Sequence, residues 1–246
     1  MTENDILPER KKTMNTAFDS TDPFTPQTRH IAVIAAGLSD PSSTSLLAKQ
    51  LGQATADALS ERGYRPELHH FELRTVATDI AEAMVTSTRS EQLTGIINEV
   101  EQADGIIAVS PVFKASYSGL FKSFWDLVEY DTLTGVPVQL GSTGGSPRHS
   151  LVIDIAMRPL FSYLRMHVMP TGVYAATEDW GSAEGFENAR NHESSAGYLS
   201  KRIAHAGKDF AEVVARVDPR PRRAPSHPKE LEVIPFDQLL NNPDNT

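Results

Sequence analysis

Short apolar runs alternate with segments of helical character along the middle of the chain. Four apolar runs and one half-apolar run predict strands, at residues 31–35, 67–73, 106–109, 136–140 and 173–176. The segments between and after them predict helices, at residues 47–58, 93–100, 118–128, 151–164 and 199–213. Five strands that alternate with helices predict an open parallel sheet with helices on both faces.

Three positions bear on where these elements begin, end or bend. Thr88 and Glu91 have the spacing of a capping box, which predicts that a helix begins at this point. Pro111 is expected to end the third strand because proline lacks an amide hydrogen. Pro159 lies inside a predicted helix, and we expect it to kink that helix.

Glycine and proline divide the chain into a central domain and two tails. Residues 1–29 and 218–246 contain none of the 15 glycines but nine of the 16 prolines, and neither segment has a long periodic apolar face. We therefore predict a flexible N-terminal tail over 1–29, a domain over 30–217 and a proline-rich C-terminal tail over 218–246. Arg220, Arg222 and Arg223 form a basic cluster in the second tail, where we expect them to be solvated.

Composition excludes several classes of protein. The 246 residues carry a formal net charge of -9, which disfavours general binding to nucleic acid. The absence of cysteine excludes disulfides and thiolate metal sites. The chain has no apolar run of the roughly 18 residues that span a bilayer, so we expect no membrane segment. The first residues lack the pattern of a secretory signal, and we expect a cytoplasmic protein.

Ligands of such sheets bind at the carboxyl ends of the strands, so the loops that follow strands are the candidate sites. The first loop, residues 37–45, has five hydroxyl residues within its last seven positions, 39–45, and leads into a helix. Unpaired amides and the helix dipole at such a position suit a phosphate. The alternative is that one hydroxyl only caps the helix. The first loop matches neither the P-loop motif nor the glycine motif of dinucleotide-binding folds.

Two further loops have unusual composition. Residues 111–119 combine a proline, two aromatic residues and Lys114, and they lead into a helix. Residues 141–146 contain three glycines, which would let the backbone approach a planar ligand closely. Taken alone, the aromatic residues could belong to the core and the glycine-rich segment could be a plain turn.

Together the three loops resemble those of the flavodoxin-fold NAD(P)H-dependent FMN reductases. The resemblance rests on the hydroxyl-rich first loop, the Pro-x-aromatic-x-x-Ser pattern of the second followed by Gly-Leu-x-Lys, and the Thr-Gly-Gly of the third, and it covers about residues 30–181. It is closer to the branch thought to supply reduced FMN to luciferase-like monooxygenases. It implies a flavodoxin-like, doubly wound, five-stranded parallel sheet that uses FMN and NAD(P)H.

The resemblance also implies the residues of the site. The phosphate of FMN would bind Ser39, Ser43, Thr44 and Ser45. One edge of the flavin ring would contact Pro111, Val112, Phe113 and Lys114, and the pyrimidine edge would contact Ser142, Thr143, Gly144 and Gly145. Hydride would pass from nicotinamide C4 to flavin N5 without a catalytic acid–base residue. Asp40 stands where the family has an arginine and Phe113 where it has a tyrosine, so we expect weaker flavin retention.

Other interpretations stay open at this point. A quinone or azo reductase could use the same scaffold with bound FMN, and a flavodoxin-like electron carrier could use it without a nicotinamide. The resemblance also implies a homodimer or homotetramer and a possible flavin-dependent monooxygenase partner. We expect no metal site, because the adjacent His69 and His70 would lie on opposite sides of a strand.

Overall fold

A parallel sheet lies between two layers of helices in the computed structural model, which describes residues 26–180 and 195–222. Its strands are β1 (Thr28–Ala35), β2 (Arg65–Glu72), β3 (Gly105–Phe113), β4 (Ser116–Tyr117), β5 (Pro137–Gly144), β6 (His167–Val168) and β7 (Val173–Ala176). Its α-helices are α1 (Ser43–Glu61), α2 (Ala77–Thr86), α3 (Glu91–Glu101), α4 (Gly119–Trp125), α5 (Arg158–Tyr163) and α6 (Ser195–Arg216).

The main strands follow the order β2-β1-β3-β5, and both β6 and β7 pair with the outer edge of β5. All of these pairings are parallel, whereas β4 folds back antiparallel on β3. The predicted parallel sheet is confirmed, but the expected count of five strands is wrong for the described residues, which form seven. The two extra strands are two-residue segments, too short to give a periodic signal.

Strands β6 and β7 occupy one strand position beside β5, and the chain between them leaves the sheet. Arg158 donates from its guanidinium to the carbonyl oxygens of Met169 at 2.8 Å and Pro170 at 3.1 Å. Gln139 donates from Nε2 to the carbonyl of Thr171 at 2.7 Å. In a continuous strand, backbone amides of a neighbouring strand would donate to these carbonyls. Here the side chains of Arg158 and Gln139 donate to them instead, so the strand can break inside the domain.

Residues of β1 alternate between two hydrophobic cores. Ala32 and Ile34 pack with α2 to α5, whereas Ile31, Val33 and Ala35 pack with α1 and α6. Because successive strand side chains point to opposite faces, a continuous apolar run covers both cores at once. This is the predicted arrangement of helices on both faces.

Several element boundaries differ from the sequence-based expectations. Helix α3 begins after Ser90, whose hydroxyl accepts from the amide of Leu93, so the predicted cap at Thr88 is wrong. Helix α2 was not predicted, because only Ile80 and Ala83 are buried along it. Pro111 does not end β3, which continues to Phe113. The expected irregularity near Pro159 is a π-helical turn at Ile153–Met157, directly before α5.

The described structure extends slightly beyond the predicted domain at both ends. Strand β1 begins at Thr28, and residues 218–222 contact the domain. The amide of Arg220 donates to Asp104 at 2.7 Å, and Arg222 pairs with both carboxylate oxygens of Glu99. These two arginines are therefore not simply solvated. Arg223 and most of both predicted tails, residues 1–25 and 223–246, lie outside the described residues.

No helix in the described part of the chain combines the length and the hydropathy that a membrane span requires.

Close contact between α1 and α6 depends on Gly207. A Cβ atom at this position would lie 2.7 Å from the Cβ of Ala54 and 2.8 Å from its backbone carbonyl carbon. We expect Gly207→Ala to lower the free energy of unfolding by about 1–3 kcal/mol, the usual cost of overpacking. Urea-induced unfolding measures this change.

Gly95→Ala provides the control for this substitution. Gly95 lies in the exposed middle of α3, and an added Cβ would meet no atom of the described residues within 4 Å. Alanine there should raise the free energy of unfolding by about 0.5–1 kcal/mol because glycine is a poor helix former. Equal destabilisation by both variants would contradict the packing explanation.

Candidate functional site

The carboxyl ends of β1, β3 and β5 lie side by side at one edge of the sheet. The amide of Ala36 donates to the carbonyl of Val109 at 3.0 Å, which joins the end of β1 to β3. Pro111 of β3 lies opposite Thr143 of β5. The three candidate loops, more than 100 residues apart in sequence from the first to the third, are therefore neighbours in the fold.

The first loop ends in a capped helix. Ser42 accepts a hydrogen bond from the amide of Ser45 at 3.2 Å, and its carbonyl accepts from Leu46. Gly37 is required beside this cap, because a Cβ there would lie 2.1 Å from the Ser42 hydroxyl. The cap uses one hydroxyl of the loop and the amide of Ser45, whereas the amides of Ser43 and Thr44 have no partner within the helix, as at the start of any helix.

A buried hydrogen bond joins the first loop to the third. The hydroxyls of Thr44 and Thr143 lie 2.8 Å apart, and both residues are almost fully buried. The hydroxyl of Thr44 is therefore already paired inside the fold. The contact fixes the beginning of α1 against the end of β5.

The remaining serines of the first loop point in different directions. Ser39 and Ser43 are exposed at the edge of the sheet. Ser45 is buried, and its hydroxyl has no hydrogen-bond partner among the described residues. It lines a small cleft with Lys49, His70 and Glu72, on the β2 side of α1. Of the serines predicted to bind the phosphate, Ser39 and Ser43 are therefore exposed, whereas the hydroxyl of Ser45 lies toward β2.

The second loop is the turn of a hairpin between β3 and β4. Lys114 and Ala115 form its tip, and both have left-handed backbone conformations with φ of 51° and 65°. Two positive φ values match the turn that suits a two-residue hairpin, although neither residue is glycine. Phe113 and Lys114 are exposed there, and Phe113 has 44% of its surface accessible. The hairpin carries these side chains beyond the edge of the sheet.

Three buried serines hold the base of this hairpin. The Ser142 hydroxyl donates to the carbonyl of Ser110 at 2.9 Å, and the Ser110 hydroxyl accepts from the amide of Ser118. Ser142 was predicted to contact the flavin, but its side chain is fully buried in this network. It supports the loops from beneath.

The third loop is shorter than predicted, because residues 141–144 belong to β5 and only Gly145 and Ser146 follow it. A Cβ at Gly144 would lie 2.1 Å from the hydroxyl of Tyr174, which donates to the carbonyl of Ser146 at 2.7 Å. Burial, and next the charge of Asp179, raise the pKa of Tyr174, so this hydroxyl keeps its proton. Gly145 faces open space among the described residues.

Arg74 is a cation of this edge that the sequence-based prediction missed. It follows the carboxyl end of β2 and donates to Asp40 of the first loop and to Glu72, both at 2.9 Å. The hydrogen bond to Glu72 and the charge of Asp40 raise the pKa of Arg74. Its position after a strand end is a signal that could have identified it, since the same rule identified the other three loops.

A groove of about 500 Å³ lies next to the hairpin, between α4 and α5. Tyr117, Trp125, Tyr130 and Tyr163 are among the residues that line it. The rings of Tyr130 and Tyr163 contact each other, with centroids 5.2 Å apart, although Tyr163 has 69% of its surface accessible.

Fold and loops together define the class of protein. The sheet order, with a capped hydroxyl-rich helix at its carboxyl edge, is that of a flavodoxin-like α/β protein. An oxidoreductase from Corynebacterium diphtheriae is 43% identical with a TM-score of 0.70, over 78% of this chain and 100% of that one. An NADH:FMN oxidoreductase in its apo form is 26% identical with a TM-score of 0.58, over 74% of this chain and 89% of that one.

Sequence comparison identifies the family. The family model of NADPH-dependent FMN reductases matches residues 29–181. The NADH-dependent FMN reductase SfnF of Pseudomonas putida is 38% identical over 148 residues, which are 60% of this chain and 77% of that protein. The chain therefore belongs to the NADPH-dependent FMN reductase family, a family of oxidoreductases that use FMN and NAD(P)H. This confirms the predicted fold and activity and disfavours a flavodoxin-like electron carrier.

The Thr44–Thr143 hydrogen bond should behave as a coupled pair. Thr44→Val leaves the buried hydroxyl of Thr143 unpaired, so we expect it to lower the free energy of unfolding by about 1–3 kcal/mol. Thr143→Val should have a similar effect for the same reason. The double variant should lose less than the sum of the two, because no polar group is then left unpaired. Urea unfolding of the three variants measures the coupling, and strictly additive losses would contradict it.

Proposed function

We propose that this protein reduces FMN with NAD(P)H at the edge formed by the three loops. The observation that carries the proposal is the junction of Thr44 and Thr143, which brings the open first turn of α1 next to the end of β5. The amides of this turn and the exposed hydroxyls of Ser39 and Ser43 would hold the phosphate. Ser45 would support the turn from the side that faces β2.

The flavin ring would lie across the hairpin and the end of β5. Pro111, Val112, Phe113 and Lys114 would border one edge, and Thr143, Gly144 and Gly145 the other, with Ser142 beneath them. Gly145 is open to its surroundings, so its amide is the candidate donor to the pyrimidine edge. Bound FMN would supply N5 as the acceptor of the hydride from nicotinamide C4. The residues of this chain bind and orient the ring, and we propose no catalytic acid–base pair among them.

Arg74 would supply the positive charge that the first loop lacks. The carboxylates of Asp40 and Glu72 lie at the same edge and would repel a phosphate. Arg74 pairs with both of them, which offsets one of the two negative charges, and it places a guanidinium beside the first loop. We therefore propose that Arg74 takes the role of the arginine that Asp40 replaces.

The flavin would be an exchangeable substrate rather than a permanently bound group. The side chains at the rim, including Ser39, Ser43, Phe113 and Lys114, are exposed, and Arg74 is shared with two carboxylates. Weak retention suits an enzyme that releases reduced FMN to a flavin-dependent monooxygenase. We also propose a cytoplasmic location, which would give the protein access to NAD(P)H.

A homodimer or homotetramer would use the surface beside the groove between α4 and α5. Tyr163 lines this groove and has more than 60% of its surface accessible, as do Leu151 and Ile155, which precede α5 in the chain. A second copy of the chain would cover these apolar side chains, and it would meet the domain beside the hairpin that borders the proposed flavin edge.

The purified chain should oxidise NADH or NADPH only when FMN is supplied, and the rate should saturate with free FMN. Stopped-flow absorbance under anaerobic conditions measures both reactions. Oxidation of neither nucleotide in the presence of FMN would contradict the proposal. A tightly bound flavin with a rate set only by added quinone would instead support the quinone reductase.

Arg74→Gln should raise the KM for FMN about five-fold and leave kcat nearly unchanged, because Arg74 is placed to bind the phosphate rather than the reacting ring. The effect should diminish at high salt, since the residue is partly exposed. The measurement is the initial rate of NAD(P)H oxidation as a function of FMN concentration.

Two variants serve as controls for Arg74. Arg216→Gln removes the same charge at the end of α6. This position is 14 residues along the helix from Arg202, the arginine of α6 that donates to Tyr174 and Asp179 near the proposed site. It should leave the KM unchanged. Asp40→Asn should lower the KM, because it releases Arg74 from a competing carboxylate. A KM raised equally by the changes at positions 40 and 74 would show that their pair is only structural.

A further inference from the structure

Two histidines and a glutamate meet near the amino ends of β1 and β2, on the face covered by α3. His30 of β1 lies opposite Glu67 of β2, and Ala32 lies opposite His69. Because side chains alternate along a strand, Glu67 and His69 share a face with His30. His70 lies on the other face, near Gly52 of α1. Sequence spacing within one strand cannot reveal this cluster, since one of its members is 37 residues upstream.

The atoms of the cluster have the spacing of metal ligands. His30 Nδ1 lies 3.4 Å from His69 Nε2 and 3.4 Å from Glu67 Oε2, and the three ligand atoms all lie within 4.8 Å of one another. A tetrahedral zinc ion with Zn–N bonds of about 2.0–2.1 Å separates its ligand atoms by about 3.3–3.4 Å. We propose that His30, Glu67 and His69 bind a zinc-class divalent transition metal ion.

Neighbouring groups orient these ligands. His69 Nδ1 faces Glu99 Oε2 at 3.6 Å, so a small approach would let it donate to this carboxylate while Nε2 binds the metal. A carboxylate behind a metal-binding histidine is the common arrangement in zinc sites. Arg222 holds both oxygens of Glu99. Arg65 donates to Oε1 of Glu67 at 2.6 Å, which leaves Oε2 toward His30.

Charge and chemistry select the kind of ion. The carboxylates around the site belong to Glu67, Glu99 and Asp104, and the guanidinium groups to Arg65 and Arg222, so these groups carry one net negative charge. Two imidazoles and one carboxylate favour zinc and its neighbours over calcium or magnesium, which prefer oxygen ligands. The three side chains are 19%, 35% and 31% exposed, which leaves room for water as a fourth ligand.

The position of the site separates it from flavin chemistry. His30 lies seven residues before Gly37 along the direction of β1, which corresponds to about 23 Å. The ion would tie β2, which pairs only with β1 among the described strands, to β1. Through Glu99 it would also stabilise the contact of Arg222 with α3. Its role is therefore structural.

Zinc chloride added to the full-length, tag-free chain tests the proposal. We expect one zinc ion per chain in isothermal titration calorimetry and a rise of several degrees in Tm that EDTA reverses, because the ion binds only the folded state. The rate of FMN reduction should not change. The proposal is overturned by the absence of binding, or by inhibition of FMN reduction without a change in Tm.

His69→Gln and His70→Gln form a matched pair on opposite faces of the same strand. His69→Gln should abolish the zinc-dependent rise in Tm, whereas His70→Gln should retain it. Glu99→Gln should weaken zinc binding by about 10- to 100-fold. An equal response of the two histidine variants would show that zinc binds elsewhere and that the cluster is only a hydrogen-bonded network.

Cobalt provides a readout that needs no variant, should His69→Gln fail to fold. Bound to the wild-type chain, Co²⁺ in a four-coordinate site gives much stronger visible absorption than the hydrated ion. Strong absorption that excess zinc removes supports the site, and the weak spectrum of hydrated cobalt overturns it.

Discussion

The parallel register of β1, β3 and β5 is the constraint on which the remainder of the molecule depends. It places the carboxyl ends of three strands at one edge, so that loops distant in sequence become neighbours. The buried pair of Thr44 and Thr143 then connects the first of these loops to the last. The proposed sharing of one ligand by a helix N-terminus, a hairpin tip and a glycine-rich turn depends on the backbone ladder, which holds their bases at fixed distances.

Hydrophobic periodicity was sufficient to predict the five strand positions and most of the helices, because each buried strand must contribute to two cores. It could not predict that β3 continues through Pro111, because a proline without an amide hydrogen normally indicates the end of a buried strand. Nor could it show that residues 141–144 belong to β5, because glycine and hydroxyl residues rarely indicate a strand. The sequence predicted that the three loops adjoin, but the orientation of Ser45, the internal bond of Ser142 and the proposed role of Arg74 depend on contacts between distant segments.

The two ends of the sheet differ in their chemistry. The carboxyl end offers amides, hydroxyls and Arg74, which suit an anion, whereas the amino end brings together His30, Glu67 and His69, which suit a cation. At the amino end the side chains come from the adjacent strands β1 and β2, and at the carboxyl end Arg74 and Asp40 come from the segments that follow these strands. Separation by the length of β1 allows each end to bind its own ligand without mutual interference.

The rims of the sheet also determine how one molecule can meet another. Strand β2 forms one rim and carries Arg65, Glu67 and the two histidines, and the other rim is interrupted between β6 and β7. Charged side chains and broken ladders both prevent an unrelated strand from docking edge to edge. Growth of the sheet from one molecule into the next, the first step toward fibrous aggregates, is thus blocked within the described residues, and contacts between copies are left to the helical faces.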